Sequence, residues 1–469
     1  MKALKGFVCL MLCTLFSITA YADKYDGIEK KYKYNQLSPE IISSDGKYLY
    51  AIDEKTGKAY FRGSLEKNIT VLEIPDNIDG QNIEGIASTK IESNNLVRVI
   101  IDGNIKSMLN GSFPSKSNDN HYLPVCTMTV GKGFEAIGFY AYRDDYKYPA
   151  MLIQLKAFVL PKTLKFLGRN SLEIATIQNL IIQSDSFISP GAIGFNYCED
   201  SDFVKENYHN VQEYYDTACN LYFSGSIDNY DYPWIGYSNQ YYDAEADIGE
   251  PFIKSSGLRV FKKPDANGFE KFEEAGYTVK EYTNEWWKDI KEIDSVTLSG
   301  AGLNENKTVT QKLSDSELKW MDKEYSLQMT SGEKVKLNST FAPSDAFDDR
   351  MFFVSLNEDV VKVDVDSGEV TALKKGAATV RCVAASGVFS DVVVYVDGAT
   401  AADLPDHSVP AATAANTNKT ADTTKSAPNT TKTSEPAKGS KVTPIYIAVP
   451  AAVVAAALTA AVVIKKRRH

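Results

Sequence analysis

The sequence predicts a mainly β chain, with a solenoid of stacked strand repeats followed by a β-sandwich, a disordered stalk and one C-terminal transmembrane helix. Three observations predict it. Short apolar strands recur between residues 45 and 200 at roughly 22 to 30 residues, a period that marks solenoids. Strands of alternating apolar residues flank an Asp366-Ser367-Gly368 turn, as in a sandwich hairpin. The run Ile445 to Ile464 is apolar and closed by Lys465, Lys466, Arg467 and Arg468, and about 20 such residues at about 1.5 Å each span a bilayer.

The two ends set the expected compartment. Lys2 and Lys5 precede the apolar stretch from Gly6 to Ile18, and Ala20-Tyr21-Ala22 supplies small residues for cleavage, so residues 1–22 read as a secretory signal peptide. The basic tail, 465–469, stays in the cytoplasm by the positive-inside rule, leaving the bulk of the chain exported or surface-exposed. Residues 399–444 are Ala, Thr, Ser, Pro, Asn and Lys with little to bury. They read as a disordered stalk reaching roughly 35 to 40 Å root-mean-square.

Residues 23–293 are the expected repeat region. Its strands are Leu72 to Ile74, Val99 to Ile101, Cys126 to Val130, Phe158 to Leu160 and Leu180 to Ile182. A strand with its return segment cannot bury its own face, so neighbours must stack and the last unit needs a cap. The units beginning at Leu72, Met128 and Phe158 share a plan of strand, turn residue, two apolar positions and Gly, as in Phe158-Val159-Leu160-Pro161 through Leu164, Leu167 and Gly168. This plan resembles the BspA-like leucine-rich repeats of bacterial surface proteins. The resemblance implies a leader hairpin at Asp45 to Phe61, a last strand and short helix at Leu258 to Tyr277, and a closing segment at Trp286 to Ile293.

Residues 294–398 are the expected sandwich. Val363, Asp364, Gly368, Val370-Thr371-Ala372, Gly376 and Ala378-Thr379-Val380 resemble the pattern of the group 2 bacterial Ig-like domain. Two departures stand out. Where that family places Trp-Ser-Ser-Asn this chain has Phe353-Val354-Ser355-Leu356-Asn357, so Phe352 or Phe353 must fill the core position. A stretch from about Gly300 to Lys323 interrupts the first strand region with no assigned role.

Little in the chain points to catalysis, and no enzyme activity is expected. Of the 4 histidines, His121 and His209 fall in the repeat region, His407 in the stalk and His469 at the tail. There is no nucleophile elbow, zinc-protease helix, P-loop or dinucleotide fingerprint. Asp364-x-Asp366-x-Gly368 resembles a calcium loop only until Lys375, where such a loop needs Glu, and a hairpin turn explains it better. No cofactor or metal is implied. The formal charge of -10 disfavours a nucleic-acid partner.

Four cysteines remain after the signal: Cys126, Cys198, Cys219 and Cys382. Cys198 and Cys219 are close enough in sequence to bridge a loop, and small buried thiols are the alternative reading, above all for Cys382 within an apparent strand. Residues 197–250 hold ten tyrosines and Trp234 with twelve acidic residues against one Lys. Amphipathic rings of this kind anchor protein partners or stack on sugars. Tyr214, Tyr215, Tyr230, Tyr232, Trp234, Tyr237, Tyr241 and Tyr242 are therefore the candidate recognition surface. The expected function is a cell-surface-anchored interaction or adhesion protein with an extracellular protein or glycan ligand, and the alternative is capture of polysaccharide.

Overall fold

The computed structural model describes residues 31–32, 34–109, 125–138, 153–168, 171–172, 175–188, 220–228, 259–274, 276–312 and 319–405, all within one compact unit. Among them no helix is long and apolar enough to cross a membrane, and the expected span at 445–464 lies outside them. The expected signal peptide and most of the stalk lie outside them too.

The first part of the chain builds two parallel sheets that face each other. In the front sheet Val71–Ile74, Arg98–Ile101 and Thr127–Val130 pair in register, followed by a second ladder of Phe158–Leu160, Asn179–Ile182, Asn220–Phe223, Arg259–Lys262 and Val279–Glu281. The back sheet runs through Ala59–Ser64, Gln81–Ile91, Ser107–Met108, Ala136–Ile137, Phe166–Leu167, Ser186–Ile188 and Ser226–Asp228. Each front strand turns into the back strand of the same coil, which is why the sequence repeats strand, turn and two apolar positions.

Side chains of an extended strand alternate between faces, and here the inward half forms one continuous core. Leu72, Val99, Met128, Phe158, Leu180, Leu221 and Val260 stack from coil to coil on the front side, opposite Ile86, Met108, Ile137 and Leu167 on the back. Successive turns touch closely. A Cβ on Gly131 would lie 2.5 Å from the Gly103 carbonyl oxygen, so this turn requires glycine.

Both ends of the stack are closed. At the start, Tyr48–Ile52 and Ala59–Ser64 form the expected antiparallel leader hairpin. Its turn is organised by Asp53, fully buried, whose carboxylate accepts hydrogen bonds from Asn35 N at 2.8 Å, Asn35 Nδ2 at 3.0 Å, Lys55 N at 2.9 Å and Thr56 N at 3.3 Å. Burial alone pushes this carboxyl up, but the four donors together outweigh it and hold the group well below the usual carboxylate range. At the far end the short helix Glu270–Glu274 brings Phe269 and Phe272 onto Phe223, with the Phe223 and Phe269 rings edge to face at 5.2 Å.

Trp286 and Trp287, which the repeat resemblance assigns to closing the array, do not close it. Their 3-10 turn, Trp286–Asp289, folds back over the outward face of the front sheet, where Trp287 packs with Ile181, Tyr222, Phe261 and Tyr282. The open end is already covered by Phe269, Phe272 and Tyr277, so the indoles are free to cover the other exposed apolar surface.

The second part is a two-sheet sandwich. Ser295–Gly300, Lys334–Ala342, Glu369–Ala372 and Val361–Val363 form one antiparallel sheet. Asn304–Lys312, Lys319–Met329, Phe389–Val396, Gly376–Ala384 and Met351–Ser355 form the other, in which Lys319–Met329 and Phe389–Val396 run parallel. Within the stretch Gly300 to Lys323 the described residues thus include two antiparallel paired strands bonded into that sheet. Asp364 and Gly368 make a hairpin turn, with Ser367 N donating to Asp364 Oδ1 at 2.7 Å and Gly368 at a φ of 68°. Phe353 fills the sandwich core, whereas Phe352, one position earlier, points out of the opposite face.

Two outcomes follow from these packings. Phe223→Ala, which empties a fully buried site, lowers unfolding free energy by about 3 to 5 kcal/mol in chemical denaturation. Because the folded carboxyl of Asp53 titrates lower than the unfolded one, near 3.9, its stabilisation is complete above that value and is lost as pH falls below it. Asp53→Asn therefore melts lower at neutral pH and shows a shallower fall in Tm between pH 5 and 2, measured by circular dichroism.

Candidate functional site

The outward half of each front strand determines what this protein can offer a ligand. In register, Val71, Arg98 and Thr127 form one column and Glu73, Ile100 and Thr129 the next, continued by Val159, Ile181, Tyr222 and Phe261 on the second ladder. This face sets apolar side chains beside Arg98, Thr127, Glu73 and Thr129, and most of it is covered from two sides.

Over the first coils lies the sandwich. Phe352, Val354, Val383, Ala385 and Phe389 pack on Val97, Cys126, Val71 and Ile100. Polar contacts rim the seam. Thr127 Oγ1 donates to Ala385 O at 2.7 Å, Arg350 Nη2 to Gln154 O at 3.0 Å, and Lys156 bridges Asp349 at 3.0 Å. Arg98 is 4% exposed and its Nη1 reaches both Glu292 Oε2 and Ser386 O at 2.7 Å. Over the later coils lies the aromatic cluster, with Tyr222 stacked on Phe261 at 4.7 Å and tilted against Trp287 at 5.4 Å.

Between the two covers the face stays open as a cleft of about 310 Å³. Thr129, Val159, Pro161 and Gln183 line it from the ladder, Ile290 to Glu292 from the connecting segment, and Phe347, Asp348 and Ser386 from the sandwich side. Thr129 and Val159 sit in its floor between Ile100 and Ile181, the latter two being taken up by the covers on either side. Mixed apolar and polar lining at a junction of two modules is a usual setting for a ligand site. Its carboxylates are already engaged: Glu292 by Arg98, and Asp348 by Arg350, with Nε to Oδ1 at 2.8 Å and Nη2 to Oδ2 at 2.5 Å.

Tyr214, Tyr215, Tyr230, Tyr232, Trp234, Tyr237, Tyr241, Tyr242, Cys198 and Cys219 lie outside the described residues, as do all four histidines. Of the ten tyrosines in 197–250 only Tyr222 is described, and it packs under the indoles. Cys126 and Cys382 are buried and outside any disulfide, and burial pushes each thiol up to about 12, so both act as small apolar side chains. Among the described residues no group of three or more His, Cys, Asp or Glu is placed to hold a metal ion.

The cleft residues carry little individual signal in sequence. What is legible is that Met351-Phe352-Phe353-Val354 and Cys382 to Ala385 are apolar at successive positions rather than alternating, the mark of a sheet buried on both faces.

The architecture is that of a mainly β protein in which an Ig-like sandwich is docked on a parallel strand ladder. Residues 323–395 match the bacterial Ig-like domain (group 2) family, and this part of the chain is a domain of that kind. Ser295–Gly300 and Asn304–Lys312 precede the matched span yet are bonded into the two sheets. Such domains are typical of surface-associated bacterial proteins. No curated protein matches the chain.

Docking has a measurable asymmetry. Glu292→Ala strands the buried Arg98 guanidinium without its carboxylate and costs about 3 kcal/mol. Arg98→Met placed in the same chain restores most of that loss, because it removes the buried charge and keeps the stem. Urea denaturation of the two variants and the wild type checks both.

Proposed function

We propose that the chain is a cell-surface-anchored interaction or adhesion protein whose ligand enters the cleft between the ladder and the Ig-like domain. The observation that carries this is joint construction: ladder, connecting segment and sandwich each supply walls. A spacer domain would have no reason to bury Phe352 and Phe389 against the strands it spaces. The paired parallel sheets, with turns at Gly131 and Pro161 leading to Gly138 and Gly168, support reading residues 23–293 as a BspA-like leucine-rich-repeat region.

In this reading residues 1–22 export the chain, 399–444 hold the folded part off the surface, and 445–464 anchor it in the envelope. Binding is favoured over catalysis because both cleft carboxylates are held by guanidinium groups, which removes them as general bases. Fold alone names no ligand, and the partner is an extracellular protein or a glycan.

Thr129→Arg, which fills the cleft floor from a partly exposed position, tests the location. Binding of the full-length chain to arrayed matrix proteins and glycans, read by surface plasmon resonance, is expected to weaken at least tenfold while Tm moves little. Retained binding in this variant, together with loss on replacing Tyr214, Tyr215, Tyr241 and Tyr242 by Ala, relocates the site to the tyrosine-rich stretch.

A further inference from the structure

We infer that the cleft accepts a carboxylated sugar residue of an acidic glycan, a ligand class that rests on the cleft being the binding site. The argument begins with charge. Five charged side chains line the cleft: Lys132, Lys156, Lys291, Glu292 and Asp348. Glu292 is bound by Arg98 and Asp348 by Arg350, both from behind the lining. Lys156 is shared between Asp348 at 3.6 Å and Asp349 at 3.0 Å, and Lys291 pairs with Asp345.

That leaves Lys132. It is exposed on the turn after strand Thr127–Val130 and has no ion-pair partner among the described residues. The uncompensated charge of the cleft is therefore positive, although the chain as a whole carries -10. Net charge would draw a basic partner to the molecule at large. The cleft itself selects an anion.

The remaining chemistry narrows the anion. Thr129 Oγ1 and the Gln183 side-chain amide also line the space without a hydrogen-bond partner among the described residues. Val159, Pro161 and Phe347 supply apolar surface between them. A compact ligand must then present a carboxylate, hydroxyl groups and a C–H face together. A pyranose ring bearing a carboxylate does so, with its apolar face against an aromatic or proline ring. An acidic peptide side chain brings the carboxylate but leaves the hydroxyl and amide positions unmet, which is costly when they are desolvated. A volume of about 310 Å³ sits at the small end of ligand sites and suits one or two sugar rings.

The test uses the full-length chain in detergent and three probes in calorimetry: tri-galacturonate, its methyl ester and triglutamate. Tri-galacturonate is expected to bind, to weaken as salt rises, and to lose about tenfold or more in affinity on Lys132→Glu, the loss of one charge-assisted contact. Lys162→Glu, on the exposed turn of the following coil and outside the lining, is expected to leave affinity within about twofold of wild type. The ester should bind at least tenfold more weakly than the acid.

Equal binding of acid and ester, or no binding of tri-galacturonate, overturns the proposal. Preference for triglutamate, still lost in Lys132→Glu, overturns the sugar assignment while leaving the cleft as the site. Binding of any probe that survives both Lys132→Glu and Thr129→Arg removes the cleft reading as well.

Discussion

The arrangement depends on one sheet being wetted on neither side. Strands Met351–Ser355, Gly376–Ala384 and Phe389–Val396 bury Phe353, Val380, Cys382, Val392 and Val394 in the sandwich, and the residues between them, Phe352, Val354, Val383 and Phe389, against the ladder. Burial of apolar area at about 25 cal/mol per Å² favours this contact without specifying an angle. The angle is fixed by the polar rim. Arg98, Thr127, Lys156 and Arg350 each have a partner at a definite distance.

The same contact explains why a cleft exists. A repeat stack exposes a long, partly apolar face, and here two covers of unrelated construction divide it. The sandwich and the indole turn leave Thr129 open between them, with Val159 packed at the edge of the aromatic cluster. The space is thus a remainder left by two packings, furnished with groups from all three segments. Its carboxylates are neutralised by guanidinium groups behind the wall, which leaves the charge of Lys132 on the lining uncompensated.

Much of the fold was legible in the sequence. Period and turn plan locate the front strands: Val99 to Ile101 and Phe158 to Leu160 fall where the pattern puts them, because inward apolar positions and turn glycines are local necessities. The Ig-like pattern was readable for the same reason, down to the turn at Gly368. Docking was not legible, since it joins Arg98 to Ser386 and Thr127 to Ala385 across more than 250 residues. The clue lay in strands without alternation, and the same composition serves a strand buried in one core. Trp286 and Trp287 show a related limit. Sequence marks them as buried cover, but which surface they cover depends on Phe269 and Phe272 having already taken the end of the stack.

Strand Phe389–Val396 has a further consequence. It is hydrogen-bonded along its length to Lys319–Met329 on one side and Gly376–Ala384 on the other, and the chain leaves the sandwich directly from its end, at Asp397. A pull applied through the residues that follow therefore loads both rows of backbone bonds in shear, all at once, instead of opening them one after another. Such a load is resisted by the central strand of its five-stranded sheet, the one that also places Phe389 against the ladder.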